Sequence, residues 1–269
     1  MPDDSFPSSL PDIGLIGFGA FGRLIAAHLS PYFRLCAYDP APGMEADAER
    51  LGVPLVGLDA AARRPVVIIA APVGRMQDIA TAIAPILRAG ALVLDVGSVK
   101  VLPSAILERT LPRHVDILAT HPLFGPQSAR NGVRGLKIAL CPVRGSRAGR
   151  VAAFLRKALG LEVILTTPEA HDREAATVQG LTHLIAKVLV RMEPLPTRMT
   201  TKSFDLLMEA VSMVRDDSPE VYAAIERDNP FTAGVRDRFF AIAAHLDRAI
   251  APCERNEADE SRKTRRAAG

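Results

Sequence analysis

The residues whose types best suit chemistry are His121 and the pair Ser98 and Lys100, which end a neighbouring apolar run. His121 lies in Thr120-His121-Pro122-Leu123-Phe124-Gly125-Pro126, just past the strand-like stretch Val115 to Ala119. Pro122 restricts the residue before it to extended backbone. Ser98 and Lys100 belong to Asp95-Val96-Gly97-Ser98-Val99-Lys100, at the end of the run Ala91 to Val96. Imidazole, hydroxyl and ammonium on one rim suit the oxidation of an alcohol: the imidazole takes the hydroxyl proton as hydride leaves the carbon, and its pKa suits neutral pH. A His-Pro pair after a strand also serves as a purely structural turn, and the pair alone does not separate the two uses. His28, His114 and His245 sit in surface-type contexts and add no signal.

A departing hydride requires an acceptor, and the glycine loop Gly17-Phe18-Gly19-Ala20-Phe21-Gly22 points to a dinucleotide. The loop lies between an apolar strand and a helical stretch, the context this motif needs. Gly17 permits a tight turn, Gly19 lets backbone approach the pyrophosphate, and Gly22 lets helix and strand pack closely. Amides opening the helix then face the phosphates. Asp39 ends the next strand, where a carboxylate accepts hydrogen bonds from ribose hydroxyls and repels the extra phosphate of NADP, so NAD is expected. The alternative is that Asp39 only opens the turn before Pro40. Arg23 either adds a phosphate contact or faces solvent. Ala71 and Pro72, closing a third strand, complete the expected cofactor contacts.

The elements that must position these groups read as an α/β fold: an N-terminal doubly wound, mainly parallel sheet of Rossmann type, followed by a smaller all-helical domain. Strands are expected at Ile13 to Ile16, Phe33 to Tyr38, Val53 to Val56, Pro65 to Ala71, Ala91 to Val96, Val115 to Ala119, Gly135 to Pro142 and Leu161 to Thr166. Helices are expected at Phe21 to Leu29, Glu45 to Leu51, Met76 to Leu87, Pro103 to Thr110 and Arg147 to Leu159. Strands apolar at nearly every position suit a sheet covered on both faces. The character changes near Pro168, and from Asp172 onward the pattern is helical: Ala175 to Met192, Ser203 to Val214, Glu220 to Arg227 and Pro230 to Ile250. The expected division is 1–168 for the dinucleotide-binding domain, 169–252 for the helical domain and 253–269 for a disordered, charge-rich tail. At the junction stand His171-Asp172, Gln179 and His183. With a helix beginning near Asp172, positions 172, 176, 179 and 183 share one face. That polar stripe is either solvated or turned into the cleft between domains.

Composition excludes several classes. Hydrophobic residues make up 48% and charged residues 23%, as in ordinary globular proteins. A net charge of +3 is too mild to indicate nucleic acid. The three cysteines, Cys36, Cys141 and Cys253, have no spacing that suggests a disulfide framework or a metal site. Cys36 reads as a small core residue. No apolar segment reaches the roughly 18–20 residues of a membrane span, and no signal peptide is visible, so a cytoplasmic location is expected.

Together these pieces resemble the prephenate and arogenate dehydrogenases of tyrosine biosynthesis. The matching segments are Gly14 to Gly22, Asp95 to Lys100, Thr120 to Ser128, His171-Asp172, Gln179-Gly180-Leu181-Thr182-His183 and Thr201 to Leu207, in order along the chain. The resemblance implies an oxidative decarboxylation in which NAD takes hydride from a cyclohexadienol, carbon dioxide leaves and the ring becomes aromatic. It implies that His121 bonds the substrate hydroxyl with Ser98 assisting, that Gln179 and His183 line the substrate pocket, and that the helical domain forms a homodimer. The substrate carries carboxylates. Where many bacterial relatives place an arginine for one of them, this chain has Met213, leaving Arg215, Lys202 and Arg130 as alternatives beside Lys100 on the rim. Cys141 stands where arogenate-specific members often carry an acidic residue, which favours prephenate. Two rival readings remain. One is a hydroxyacid or 6-phosphogluconate type of dehydrogenase, which would place a catalytic lysine on the first interdomain helix, where Lys187 lies too far along. The other is a nucleotide-sensing module without chemistry.

Overall fold

The computed structural model describes residues 11–250. The expected tail, 253–269, and Cys253 lie outside the described residues. The sheet domain runs β1 (Asp12–Ile16), α1 (Ala20–Leu29), β2 (Arg34–Tyr38), α2 (Glu45–Leu51), α3 (Leu58–Ala62), β3 (Val66–Ile69), α4 (Met76–Ile83), β4 (Leu92–Asp95), α5 (Val101–Thr110), β5 (Asp116–Pro122), β6 (Lys137–Arg144), α6 (Ala148–Lys157) and β7 (Glu162–Leu165). Among the described residues the strands form one seven-stranded sheet in the order β2-β1-β3-β4-β5-β6-β7. Every neighbouring pair is parallel except β5 with β6.

Strand residues alternate between two cores, as a sheet covered on both faces requires. Ile13, Leu15, Ile68, Leu92, Leu94 and Leu118 pack with α1 and α6, whereas Ile16, Val67, Ile69, Val93 and Ile117 pack with the face carrying α3, α4 and α5. One register row crosses the sheet from Tyr38 through Ile16, Ile69, Asp95 and Ala119 to Cys141. The glycine loop begins one residue past that row, and Asp39, Ser98 and His121 follow it within three residues, so the parallel register gathers them on one rim.

The helical part comprises α7 (Pro168–Ala175), α8 (Leu181–Arg191), α9 (Lys202–Val214), α10 (Pro219–Ala223) and α11 (Thr232–Ile250). Single π turns join α7 to α8 (Ala176–Gly180) and extend α10 (Ala224–Asp228). Thr167 caps α7, its hydroxyl accepting from the Ala170 amide at 3.2 Å, and Pro168 supplies the first helical residue. The helix therefore starts seven residues before the expected Ala175, with His171 and Asp172 inside it.

Three further differences have physical causes. Val53 to Val56 makes only a bridge from Leu55 to Ala37, because no second strand extends the pairing. Met76 to Leu87 is helical only to Ile83, ahead of Pro85, whose missing amide cannot continue the hydrogen bonding. The short helix α3 was hidden by its alanines, yet it packs on β1 so closely that a methyl group at Gly14 would lie 1.9 Å from the Ala61 carbonyl oxygen. Gly14→Ala is expected to displace α3 and lower stability by about 1–3 kcal/mol, read as a lower urea midpoint at unchanged slope.

Candidate active site

His121 lies within β5, not beyond it. β4 ends at Asp95, but β5 continues to Pro122 because antiparallel β6 pairs with it, His121 opposite Ala139 and Pro122 opposite Ile138. A proline can close a strand in this way, since only its amide is missing. His121 is only 3% exposed, and its side chain points to the face that carries α5 and α7.

Helix α7 meets it there. Nδ1 of His121 lies 2.8 Å from Nε2 of His171, and the His171 Nδ1 lies 2.8 Å from an oxygen of Asp172. On the other side of the His121 ring, Nε2 lies 3.4 Å from the Gln179 amide nitrogen. The Gln179 Oε1 is buried without a partner. The wholly buried Asp172 carboxylate also accepts from the backbone amides of Lys100 (2.7 Å) and Val101 (2.8 Å). These amides open α5, whose own N-cap side chain makes no capping bond. Asp172 therefore caps that helix from α7, where a carboxylate also suits the helix dipole. The side-chain amide of Asn229 donates to the Asp172 carbonyl at 2.8 Å, tying in the start of α11.

The stripe Asp172, Ala176, Gln179 and His183 thus faces inward: all but Gln179 are buried, and Gln179 is half-buried. His183 Nδ1 donates to the Gln179 carbonyl at 2.9 Å, and its Nε2 stands 3.0 Å from the Asp217 carboxylate. The π turn between α7 and α8 inserts an extra residue next to these groups, a local device frequent at functional sites.

Lys100 is not on the open rim as expected. Its side chain is fully enclosed, bonded to the Asp95 carboxylate and donating to the Thr120 carbonyl at 2.7 Å. A lone ammonium cannot be buried without such partners, so Lys100 braces β4, β5 and α5 and is not available to substrate. Burial pushes the Asp95 carboxyl upward, with Lys100 opposing. Burial lowers the His121 pKa well below 6.5, with the neighbouring His171 ring and the Lys100 ammonium also opposing a proton there, so at neutral pH the ring is uncharged.

Arg215, the expected carboxylate anchor, is exposed and forks onto Glu193, with Nη2 to Oε2 at 2.7 Å. Lys202 and Arg130 are exposed. Cys141 is fully buried in β6, its thiol pushed up to about 12 mainly by burial. It therefore offers no surface to a substrate side chain, and the preference for prephenate drawn from it loses its basis. Ser98 is half-buried on the rim and has no side-chain partner among the described hydrogen bonds.

The glycine loop fits a dinucleotide on its own geometry. A methyl group at Gly17 would lie 2.2 Å from the Ala70 carbonyl oxygen, and the backbone there has φ +100. One at Gly22 would lie 2.2 Å from the Gly17 carbonyl oxygen. One at Gly19 would meet nothing within 4 Å, leaving open space where backbone can approach a pyrophosphate. No side chain caps α1, so its first amides, from Ala20, Phe21 and Gly22, are available to an anion. Asp39 does more than either expectation: one oxygen accepts from the Phe18 amide at 2.6 Å and the other from the Ala41 amide at 2.9 Å, so it locks both the loop and its own turn. The buried Phe18 side chain anchors the loop in the core. Ala71 is half-buried and Pro72 exposed, on the same rim.

Fold and site together define a dinucleotide-binding domain of Rossmann type with a histidine held between it and a helical domain. The family model for the prephenate dehydrogenase nucleotide-binding domain matches residues 28–156, and that for the prephenate dehydrogenase dimerization domain matches 167–264. The chain belongs to the prephenate dehydrogenase family. Arogenate dehydrogenase 1 of Arabidopsis thaliana is 31% identical over 223 residues, covering 78% of this chain and 35% of the plant protein. Cyclohexadienyl dehydrogenase of Zymomonas mobilis is 28% identical over 262 residues, covering 89% and 88% of the two chains. A solved prephenate dehydrogenase from A. aeolicus, in complex with hydroxyphenyl propionate and NAD+, shares the fold with a TM-score of 0.72 at 22% identity, covering 97% of each chain. The chain spans 35% and 42% of the length of the two plant relatives it matches.

Proposed function

We propose that the chain is an NAD-dependent dehydrogenase that oxidatively decarboxylates a cyclohexadienol of the prephenate or arogenate type. The observation that carries this reading is the neutral, buried His121 ring, gripped at Nδ1 and facing Gln179 with Nε2 at the rim that also carries the glycine loop. The names of the relatives support the substrate class, and the uncapped amides of α1 support a phosphate-bearing cofactor.

In this reading the substrate hydroxyl donates to Nε2 of His121, taking the place of the long Gln179 contact. Gln179 and His183 line the pocket, and Ser98 orients the same hydroxyl. Bound NAD supplies the hydride acceptor. His121 takes the hydroxyl proton as the O–H electrons form a carbon–oxygen double bond, and loss of the ring carboxylate as carbon dioxide then makes the ring aromatic. Aromatisation drives the chemistry, so the protein contributes mainly orientation and a proton acceptor. The anchor for the substrate carboxylates is not Lys100, and Arg215 would have to leave Glu193 to serve.

A homodimer completes the reading. Leu206, Leu207 and Met213 on α9, with Phe240, Ile242, Leu246 and Ile250 on α11, are exposed apolar side chains that a second copy would cover, in keeping with the dimerization-domain match. Among the described residues no helix is long and apolar enough to cross a membrane. The free thiols of Cys36 and Cys141 fit a reducing compartment such as the cytoplasm.

Steady-state rates with prephenate and arogenate, each with NAD and NADP, test the reading directly. Turnover with NAD and at least one of the two substrates is expected, with NADP poorer because of Asp39; no turnover with any combination overturns it. His121→Ala is expected to lower kcat by about 10²–10⁴-fold. In the unaltered enzyme the acid limb of kcat/KM is expected to inflect below pH 6.5, because the ring must be unprotonated to act and its pKa is lowered. An inflection above 6.5 would contradict that assignment.

A further inference from the structure

The order of donors and acceptors along Gln179, His121, His171 and Asp172 fixes which nitrogen of His121 carries the proton. Asp172, as a carboxylate, can only accept. Its 2.8 Å contact with His171 is therefore made by Nδ1–H donating. With that single proton on Nδ1, His171 presents a lone pair at Nε2. The 2.8 Å contact to His121 then requires His121 Nδ1–H as the donor. That leaves the lone pair of His121 on Nε2, and the group facing it is the Gln179 amide N–H. Reversing the order would require a second proton on His171, since its Nδ1–H is already committed to Asp172. Every link is satisfied in one direction, with the protons pointing from the cleft toward Asp172.

We propose that His171, oriented by Asp172, is a positioning residue that holds His121 in the Nδ1–H tautomer and so presents Nε2 to the cleft as the proton acceptor. The hydrogen bond on one ring nitrogen decides the state of the other. Here that bond is buried at both ends, with His171 6% exposed and Asp172 0%. Asp172 is itself immobilised by the two amides of α5, so the His171 ring has a fixed partner. When Nε2 of His121 takes the substrate proton, the ring keeps its Nδ1–H on His171, and the charge forms without the ring turning. The charged or titratable groups around His121 are His171 and Asp172 from α7, Asp95 and Lys100 from the segment joining β4 to α5, and Cys141 on the same face of β6. Of these, among the described residues, His171 alone is hydrogen-bonded to the ring. Its catalytic consequence rests on the dehydrogenase reading, whereas the tautomer does not.

The test is nitrogen NMR of the full chain with labelled histidine, with the His121 signals identified by their loss in His121→Gln. In the unaltered protein at neutral pH, His121 is expected to show a protonated Nδ1 and an unprotonated Nε2; the opposite pattern overturns the proposal without any variant having to fold. His171→Phe removes the acceptor, and is expected to move His121 toward the Nε2–H form and lower kcat by about 10–100-fold with the KM values for both substrates little changed. His171→Gln, which restores a side-chain acceptor, is expected to recover most of that loss. An unchanged kcat and pH profile in folded His171→Phe overturns the proposal. An unaltered protein that shows the Nδ1–H form yet turns over neither prephenate nor arogenate supports the tautomer assignment and overturns the dehydrogenase reading instead.

Discussion

The buried carboxylate of Asp172 is the contact on which the rest of the arrangement depends. A carboxylate with no exposed surface survives only if several donors replace its water, and Asp172 has three: the Lys100 and Val101 amides and the His171 ring. Two of those donors belong to the sheet domain and one to the helical segment. The same group therefore joins the two parts of the chain and aims the histidine pair. Helix α5 gains the cap its own sequence lacks, and α7 gains a fixed seat against the start of α5.

Beside this contact the Asp95–Lys100 pair does a different job. It is a second set of buried charges, bonded to each other and to Thr120, whose hydroxyl in turn donates to the Asp95 carbonyl at 2.6 Å. These bonds hold the last residues of β5 against the end of β4 where the two strands no longer pair, and so hold His121 in place. Burial chiefly sets its charge state, with His171 and then Lys100 adding to it. An imidazole enclosed by apolar packing, with an ammonium and another imidazole nearby, resists protonation. The fold thereby keeps the ring uncharged below the usual histidine range.

Much of this was legible in the chain, for reasons that can be stated residue by residue. Apolar runs such as Val66 to Ile69 and the glycine loop specify the parallel sheet locally, and Asp39 and His121 stand at the ends of strands that are plain in the pattern. What escaped depends on distant partners. Lys100 looks like a rim cation until Asp95, five residues earlier, turns it inward. The role of Asp172 requires amides 71 and 72 residues away in sequence. His121 reads as lying past its strand because antiparallel β6, which extends the pairing, begins well downstream. The π turns leave no mark in residue type, and α3 is revealed only by the close approach its alanines and Gly14 permit. Cys141 sits on the expected strand, but burial, which the sequence does not report, removes it from the substrate.

The most direct measurement is a crystal structure of the chain with NAD and a non-reactive hydroxyphenyl carboxylate bound together. The account predicts the ligand hydroxyl within about 2.6–3.2 Å of Nε2 of His121, with Nδ1 still on His171 and the Asp172 carboxylate still on the amides of Lys100 and Val101. A ligand whose hydroxyl meets another group, or a His121 ring turned away from His171 in the complex, would contradict it.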